Sequence, residues 1–311
     1  MELTNFDFII EKAKQRKEPL RAAVAGADTE NILQGVFLAE ASGIVKPILL
    51  GNAERITAML KDLSLFYRDY TLIDVPDGQD VVMEAIKLVQ EKKADCLVRG
   101  NTQTRDFLMP ILDKSNGILN KGRLLTHVEM MKVPECRKLL AITDVSLLVR
   151  PTVEERKKVL KNGVALLNAL GYEKPNVALL ALVEKPTFHM RDTVDADTIV
   201  RDHASRPIAD CNIVGPIAYD LIVSKEAARL KGYDCPYCGE FDCIVTPNLL
   251  AGNMLVKAMR IHGHATSVGI LVGANVPIAL TSRSDSREKT CLSLAACAAV
   301  PVEDVAKYLD K

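Results

Sequence analysis

The sequence lacks tryptophan, and its aromatic residues make up only 5% of the 311 positions. Proteins that stack on nucleic-acid bases need aromatic platforms, so we expect no such binding here. The sequence also has no excess of either charge, because Lys plus Arg and Asp plus Glu number 40 each. Without a positive field, neither nucleic acid nor a membrane surface is attracted to the whole molecule. Any affinity for anions must therefore come from a local site.

Long hydrophobic runs are missing as well. No apolar stretch reaches the roughly 20 residues that a membrane-spanning helix needs. The start of the chain has neither the basic residues nor the apolar core of a signal peptide. We therefore expect a cytoplasmic protein without a membrane partner. The eight cysteines fit a reducing compartment, where buried thiols behave as small apolar side chains.

Several motifs of nucleotide and nucleophile chemistry are absent too. Gly26-Ala27-Asp28 follows the first apolar run without the further glycines of a dinucleotide-binding loop. The sequence has no Walker-type phosphate loop and no nucleophile elbow. The closely spaced pair in His262-Gly263-His264 is best interpreted as the end of a helix rather than as metal ligands.

Three cysteines lie close together, at Cys235, Cys238 and Cys243. Such spacing is compatible with a zinc site or a redox disulfide. A structural zinc site needs a fourth ligand, and the sequence has no second cysteine pair of this kind. We expect a tight polar turn and no metal, and we leave open whether these thiols bind metal or are redox active.

What the sequence does contain is a regular alternation of strand-like apolar runs and amphipathic helices. This alternation predicts an α/β fold with largely parallel sheets that helices cover on both faces. Only four residues separate the runs 124–133 and 138–144, which is too short for a parallel crossover and predicts an antiparallel pair. The predicted strands are 21–27, 47–50, 71–75, 95–100, 124–133, 138–144, 176–182, 211–215, 242–247 and 267–271.

A long charged helix predicted over 153–170 joins two such series of strands and helices. The chain is long enough for two domains. We therefore predict two α/β domains with a cleft between them. The first domain is discontinuous, with residues 1–148 and 276–311, and the second comprises residues 149–275.

The last apolar run, 269–280, is interpreted as a single buried strand that leads directly into Thr281-Ser282-Arg283-Ser284-Asp285-Ser286. Ligands of parallel α/β sheets bind at such strand ends. Ser284 or Ser286 is expected to cap the following helix. Arg283, in contrast, is a cation at the positive end of a helix, where the helix dipole disfavours it unless an anion binds there. The sequence therefore predicts an anion site at this strand end.

A set of motifs in a fixed order resembles the phosphate acetyl/butyryltransferase family, and the versions found here resemble the phosphate butyryltransferase branch most. The resemblance covers nearly the whole chain from about residue 24 to residue 299. The motifs that carry it are 95–100, 126–128, 142–144, 177–180, 208–220, 246–253 and 269–286.

This resemblance implies a reversible exchange in which acyl-CoA and inorganic phosphate give acyl phosphate and free coenzyme A. The acyl group is expected to be short, such as butyryl or acetyl. The family implies direct transfer in a ternary complex, with coenzyme A as a substrate and without a metal or a cofactor. It also implies the two-domain fold of the isocitrate/isopropylmalate dehydrogenases, an active site between the domains, and a homodimer or higher homo-oligomer.

The resemblance assigns roles to the segment after the last strand. Ser282 matches the family serine that stabilises the developing oxyanion, and Arg283 binds phosphate through its planar guanidinium. The catalytic aspartate of acetyltransferase relatives falls near Glu288-Lys289 here. Asp285 and Glu288 are therefore the two candidates for the general base, and we favour Asp285. Their spacing predicts that both lie on one helix face.

Further substrate-binding candidates lie at other predicted strand ends. The arginine that acetyltransferase relatives carry before a proline is missing at Leu108-Met109-Pro110, so Arg99 or Arg105 is expected to supply the charge. Asn248 stands where the family commonly has an aspartate. The full set of substrate-binding candidates is Arg99, Thr104, Arg105, Gly215, Asn248, Gly252 and Asn253.

Two alternative functions remain at this point. A decarboxylating dehydrogenase of the same fold needs a nucleotide site and metal-binding aspartates beyond Asp220. A non-catalytic regulatory module that responds to coenzyme A or acyl-CoA needs neither, and a turnover assay distinguishes it from an enzyme.

Overall fold

The computed structural model describes residues 3–134, 136–281 and 285–309. Among these residues, no helix combines the length and the apolar character needed to cross a membrane.

Helices and strands alternate along the chain, as the sequence predicts. In chain order they are α1 Asp7–Lys14, β1 Leu20–Ala25, α2 Glu30–Ala41, β2 Val45–Gly51, α3 Ala53–Asp62, β3 Thr71–Asp74, α4 Val81–Gln90, β4 Cys96–Arg99, α5 Thr104–Leu112, a short 3-10 helix Lys114–Asn116, β5 Thr126–Lys132, β6 Leu140–Thr143, α6 Val153–Ala169, β7 Asn176–Leu180, α7 Arg191–Ser205, β8 Asn212–Ile217, α8 Tyr219–Val223, α9 Lys225–Lys231, β9 Cys243–Val245, α10 Leu249–Ile261, β10 Thr266–Val272, β11 Ile278–Ala279, α11 Arg287–Ala299 and α12 Val302–Leu309.

The chain divides into two compact units. Unit 1 comprises Met1–Asn5, Thr126–Ser267 and Glu303–Lys311, and unit 2 comprises Phe6–Leu125 and Val268–Val302. The predicted boundaries, at 148/149 and 275/276, lie later in the chain than these unit boundaries. The difference concerns mainly the strands β5 and β6, which are in unit 1 because β6 pairs in parallel with β9. The division into independently folding domains at 148/149 and 275/276 stays a prediction.

Unit 2 contains a sheet with the strand order β3-β2-β1-β4-β11-β10. Its strands β3, β2, β1, β4 and β11 run parallel, and β10 runs antiparallel to β11. The central strand β1 is buried along nearly all of its length. A strand that neighbours and helices cover on every side reads as a continuous apolar run, which is why β1 is recognisable in the sequence.

Unit 1 contains the strand order β5-β6-β9-β7-β8. The predicted antiparallel pair is confirmed, since β5 and β6 are paired in that direction, whereas β6, β9, β7 and β8 run parallel. Helix α6 begins with a capping box in which Thr152 and Glu155 exchange side-chain and backbone hydrogen bonds. These two bonds satisfy backbone N–H groups that an uncapped helix leaves without a partner.

The prediction of a single apolar strand over 269–280 is wrong. The run contains two short strands, β10 and β11, which pair antiparallel through Leu271 and Ile278. Gly273 lies between them with φ 113°, a conformation that favours glycine over residues with a Cβ atom. Hydrophobicity alone does not show this reversal, because both strands are buried.

Candidate active site

The carboxyl edge of the unit 2 sheet carries a buried cation, Arg99, at the last position of β4. Arg99 Nη1 donates to Thr104 Oγ1 at 2.9 Å, and Thr104 is the first residue of α5. Thr281, which follows β11, donates its hydroxyl to the Arg99 carbonyl. Since β4 and β11 are parallel neighbours, these bonds hold two strand ends and one helix start together. A guanidinium in such a position is suited to an anion.

The backbone at the same edge is packed too closely for side chains. A Cβ atom on Gly100 would lie 2.1 Å from the carbonyl oxygen of Gly26, which itself has φ 82°. Asn101 N also donates to that oxygen at 2.7 Å. Only glycine at position 100 permits this approach, so the ends of β1 and β4 lie directly side by side.

The predicted catalytic residues Ser282 and Arg283 lie outside the described residues. Both described neighbours of this segment, Thr281 and Asp285, are buried. Asp285 Oδ1 lies 3.3 Å from Lys289 Nζ, whose side chain is only 14% exposed. Asp285 is therefore a buried carboxylate beside a partly buried cation.

Ser286, one of the two predicted caps, is the N-cap of α11, and its hydroxyl accepts from Lys289 N at 3.3 Å. The prediction that Asp285 and Glu288 share a helix face is wrong, because α11 begins only at Arg287 and Asp285 precedes the cap. Glu288 is exposed and accepts a hydrogen bond from Arg287 Nε at 2.7 Å. The side-chain hydrogen bond from Arg287 is the main reason that the pKa of Glu288 falls to about 2. A carboxylate with so low a pKa is a weak base at neutral pH.

The structure brings only some of the unit 2 candidates together. Thr104 is hydrogen-bonded to Arg99, whereas Arg105 is exposed on the first turn of α5. Arg99 is thus fixed in place by its neighbours, and Arg105 is a surface side chain whose role in binding stays a prediction.

At the carboxyl edge of the unit 1 sheet, the predicted residues Asn248, Gly252 and Asn253 surround the end of β6. Asn248 caps α10 by accepting from Ala251 N at 3.0 Å. Asn253 Nδ2 donates to the carbonyl of Val145 at 3.1 Å. A Cβ atom on Gly252 would lie 2.5 Å from the carbonyl oxygen of Asp144. Each residue therefore has a structural role here, and substrate binding by any of them stays a prediction.

Gly215 lies within β8 and not at its end. A Cβ atom there would lie 2.5 Å from Leu179 Cβ on the neighbouring strand β7. The glycine thus permits close packing of two strands, and its predicted substrate contact remains untested.

Unit 1 also contains a polar network around Asp144 that is not predicted from the sequence. Asp144 Oδ1 accepts from His127 N at 2.6 Å, and Asp144 Oδ2 accepts from Leu147 N at 2.8 Å and Leu148 N at 2.7 Å. The carbonyl of Asp144 accepts from Thr246 Oγ1 at 2.8 Å. A buried carboxylate that accepts three backbone N–H bonds fixes the loop after β6 firmly.

Three more polar side chains adjoin this network. Ser146 Oγ lies 2.6 Å from His127 Nδ1, and His127 Nε2 lies 3.4 Å from Glu129 Oε2. Ser267 Oγ donates to Glu129 Oε1 at 2.6 Å. One sequence signal was available: positions 127 and 129 lie two apart in an apolar strand, and such residues point to the same face.

The three clustered cysteines lie in and around the core of unit 1. Cys238 and Cys243 are buried, and Cys235 is partly buried. Burial is the main cause that raises the pKa of Cys238 to about 12, and burial raises the pKa of Cys243 strongly as well. Both thiols are therefore protonated at neutral pH, which weakens them as nucleophiles. Within residues 3–134, 136–281 and 285–309, no group of three or more His, Cys, Asp or Glu side chains is placed to hold a metal ion.

Comparison with known proteins identifies the family of this chain. The family described as "Phosphate acetyl/butaryl transferase" matches residues 76–299. The chain is 33% identical to the phosphate butyryltransferase of Clostridium acetobutylicum over 298 residues, which cover 96% of this chain and 98% of the relative. It is 31% identical to the phosphate acetyltransferase of Thermotoga maritima over 287 residues, with 92% and 96% covered.

A solved structure is similar over a comparable length. The crystal structure of a branched-chain phosphotransacylase from Enterococcus faecalis V583 superposes with a TM-score of 0.78 at 29% identity, covering 90% of this chain and 99% of that one. The α/β fold with its mixed sheet is thus shared with a phosphotransacylase. Sequence and structure together show that the chain belongs to the phosphate acetyl/butyryltransferase family.

Proposed function

We propose that this chain transfers a short acyl group between coenzyme A and inorganic phosphate, in the reversible reaction acyl-CoA plus phosphate gives acyl phosphate plus coenzyme A. The observation that carries the proposal is the Arg99 guanidinium, buried at the carboxyl edge of the unit 2 sheet and held by Thr104. Family membership supports the same chemistry, because relatives are named phosphate butyryltransferase and phosphate acetyltransferase.

Phosphate recognition is assigned to two arginines, Arg99 and Arg283. Phosphate and acyl phosphate carry negative charge in every step, and a planar guanidinium binds such oxygens through two parallel hydrogen bonds. Arg283 is two residues beyond Thr281, which is bonded to the Arg99 carbonyl. Thr281, the last described residue before Ser282 and Arg283, is therefore next to Arg99.

Acyl transfer also needs stabilisation of the tetrahedral oxyanion. Ser282 is proposed to donate a hydrogen bond to that oxygen as it gains charge. In the direction of thiolysis, the coenzyme A sulfur attacks the acyl carbon, the bond to the phosphate oxygen breaks, and phosphate leaves with the electron pair. The thiol proton must pass to a base, for which Asp285 and Glu288 are the candidates from the sequence.

The setting of this reaction is part of the proposal. We propose direct transfer in a ternary complex without a metal or a cofactor. The active site is proposed to lie in a cleft between two α/β domains, as in the isocitrate/isopropylmalate dehydrogenases. The protein is proposed to be a homodimer or higher homo-oligomer in the cytoplasm. Butyryl and acetyl are the proposed acyl groups, since relatives named for each are similar to this chain to nearly the same degree, 33% and 31%.

A panel of acyl phosphates with coenzyme A tests the proposal. Thioester formation is followed by its ultraviolet absorbance for the wild type and for Arg283→Ala. We expect turnover by the wild type and a loss of about 10²-fold or more in kcat/KM for the variant. Arg206→Ala, which removes an exposed arginine after α7, is the control and should keep wild-type rates.

The results test the role of Arg283 and distinguish a transferase from a regulatory module. Near-wild-type rates for Arg283→Ala would remove Arg283 from the mechanism. Binding of coenzyme A without any turnover by the wild type would contradict the transferase and favour a regulatory module.

A further inference from the structure

We propose that Ser146, His127 and Glu129 form a proton relay that accepts the thiol proton of coenzyme A during acyl transfer. This inference rests on the proposed function and deepens it, because it supplies a base other than Glu288, whose pKa of about 2 makes it a poor proton acceptor at neutral pH. The other candidate, Asp285, is already engaged with Lys289, whose Nζ lies 3.3 Å from Asp285 Oδ1.

The relay follows from the contacts on β5. His127 and Glu129 are buried, and they lie two residues apart on the same face of that strand. His127 Nε2 is 3.4 Å from Glu129 Oε2, and His127 Nδ1 is 2.6 Å from Ser146 Oγ. The three side chains therefore form a continuous line from a buried carboxylate to a hydroxyl.

The carboxylate decides which imidazole nitrogen is basic. A proton on Nε2 faces the negative charge of Glu129 and is stabilised by it. Nδ1 then carries the lone pair, and it accepts the hydroxyl proton of Ser146. The arrangement has the same logic as a serine–histidine–acid triad, in which the acid fixes the tautomer and orientation of the histidine.

Ser146 is the member that a substrate can reach. It is partly exposed, in the loop that follows β6 at the carboxyl edge of the unit 1 sheet, where ligands of α/β proteins bind. Asp144 fixes both ends of the contact, since it accepts from His127 N with one oxygen and from Leu147 N and Leu148 N with the other. The serine and the histidine are thus held by one shared carboxylate.

Two protons move together in the transfer step. The sulfur of coenzyme A attacks the acyl carbon of acyl phosphate, and the thiol proton moves to Ser146 Oγ while the Ser146 hydroxyl proton moves to His127 Nδ1. Phosphate leaves with the electron pair of the broken carbon–oxygen bond and takes up a proton from solvent, which balances the proton that the thiol has lost. The resulting imidazolium is paired with Glu129 until it returns the proton to solvent, and in the reverse direction it protonates the departing thiolate. Ser146 is the catalytic residue, and His127 and Glu129 act through it.

Two carboxylates face His127 among the described contacts, Glu129 on its own strand and Asp144 at the end of β6. Two hydroxyls, of Ser146 in the following loop and Ser267 on β10, complete the surroundings of the pair. An imidazole that already carries both ring protons cannot accept the proton that Ser146 passes on. The rate of thiolysis should therefore fall at low pH.

The pH dependence of kcat/KM for coenzyme A tests the relay. We expect His127→Gln to lower kcat about 10²-fold, to change the KM for coenzyme A less than about 3-fold, and to abolish the fall in rate at low pH.

Ser146→Ala should lower kcat about 10-fold or more, whereas Ser146→Thr, which keeps a hydroxyl, should retain most of the activity. Glu129→Gln should move the acidic limb to lower pH, because the imidazolium loses its counter-charge.

His203→Gln is the matched control. His203 is a partly buried histidine of α7 whose Nδ1 accepts from Ile208 N at 3.2 Å, and it lies at the other end of the unit 1 strands. Its loss should leave the acidic limb in place. Thermal unfolding of every variant separates a loss of fold from a loss of the proton acceptor, and the partly exposed Ser146 serves if His127→Gln does not fold.

Wild-type kcat and an unchanged acidic limb in both Ser146→Ala and His127→Gln would overturn the relay while leaving the proposed function intact. Absence of turnover in the wild type on every acyl phosphate would instead overturn the proposed function, and the relay with it.

Discussion

The two units present different chemistry at the carboxyl edges of their sheets. In unit 2 the edge carries a buried guanidinium, Arg99, between strand ends that approach each other through Gly26 and Gly100. In unit 1 the edge carries a carboxylate, Asp144, that organises a histidine and a serine. We propose that the same architectural position serves anion binding in one unit and proton transfer in the other. Strand topology fixes where a site forms, and a few side chains decide what it does.

The largest effect on stability is expected at Gly100, where the carboxyl edge of the unit 2 sheet has no space for a Cβ atom. Gly100→Ala should lower the free energy of unfolding by about 3 kcal/mol or more, since the new Cβ atom meets backbone that cannot move aside. That atom would lie 2.1 Å from Gly26 O and 2.8 Å from Ala25 O. Urea unfolding measures the change.

Gly163→Ala in unit 1 is the matched control for this substitution. Its Cβ atom would lie 3.2 Å from Cys243 Sγ and from Thr143 Cγ2, and alanine favours the interior of helix α6. We expect a change within about 1 kcal/mol. Equal effects of the two substitutions would contradict the close approach of β1 and β4.

The next largest effect is expected on catalysis, when the charge of Arg99 is removed. Arg99→Ala should lower kcat/KM for phosphate about 10²-fold, or about 2.7 kcal/mol, because a bidentate charged contact to the anion is lost. Steady-state rates with varied phosphate measure this. Arg21→Ala, at the amino end of β1, removes an arginine that is paired with Asp95 at 2.6 Å, and its catalytic rates should match the wild type. A phosphate KM and a kcat unchanged by Arg99→Ala would show that this edge does not bind the anion.

On the unit 1 side, Asp144→Asn should lower the free energy of unfolding by about 2 kcal/mol, because a neutral amide turns one donor toward backbone N–H groups. Urea unfolding of Asp113→Asn provides the comparison. Asp113 accepts from Ser115 N at 2.9 Å but is exposed, so we expect a change of about 0.5 kcal/mol or less. If both substitutions cost the same, the Asp144 network is not what fixes the loop.

The smallest effect is expected for Glu288→Gln. Its carboxylate is exposed and its pKa is about 2, so it stays ionised throughout the neutral range and accepts protons poorly. Thiolysis rates between pH 5 and 9 should stay within about 2-fold of the wild type with an unshifted profile. Since the pKa is lowered by folding, any stabilising effect of this carboxylate is present above its ordinary pKa and is lost only as the pH falls toward 2. A large loss of rate at neutral pH would restore Glu288 as the base.

Much of the fold could be predicted from the sequence because its signals are local. The buried strand β1 is a continuous apolar run, and the four residues between 133 and 138 permit only an antiparallel pair. The reversal at Gly273 was not predicted, since apolar residues continue on both sides of it. Local propensity does not tell whether a buried strand runs parallel or antiparallel to the strand before it.

The sites divide in the same way. Arg99 was predicted as a binding residue because the family's arginine is missing at Leu108-Met109-Pro110, and its contact with Thr104 is close in sequence. The contacts of the relay are not local: Ser146 is 19 residues from His127, and Ser267 is 138 residues from Glu129. Only the folded sheet brings these side chains together. The shared helix face of Asp285 and Glu288 was predicted from spacing, and it failed because the helix begins later than the pattern suggests.

The way in which Asp144 holds the loop after β6 has a consequence for how this sequence can drift. Its carboxylate accepts hydrogen bonds from the backbone N–H groups of positions 127, 147 and 148, and every residue except proline has such a group. The conformation of this loop therefore does not depend on which side chains stand at these positions. The side chains at positions 147 and 148 can therefore be exchanged without loss of these bonds, as long as Asp144 itself is kept.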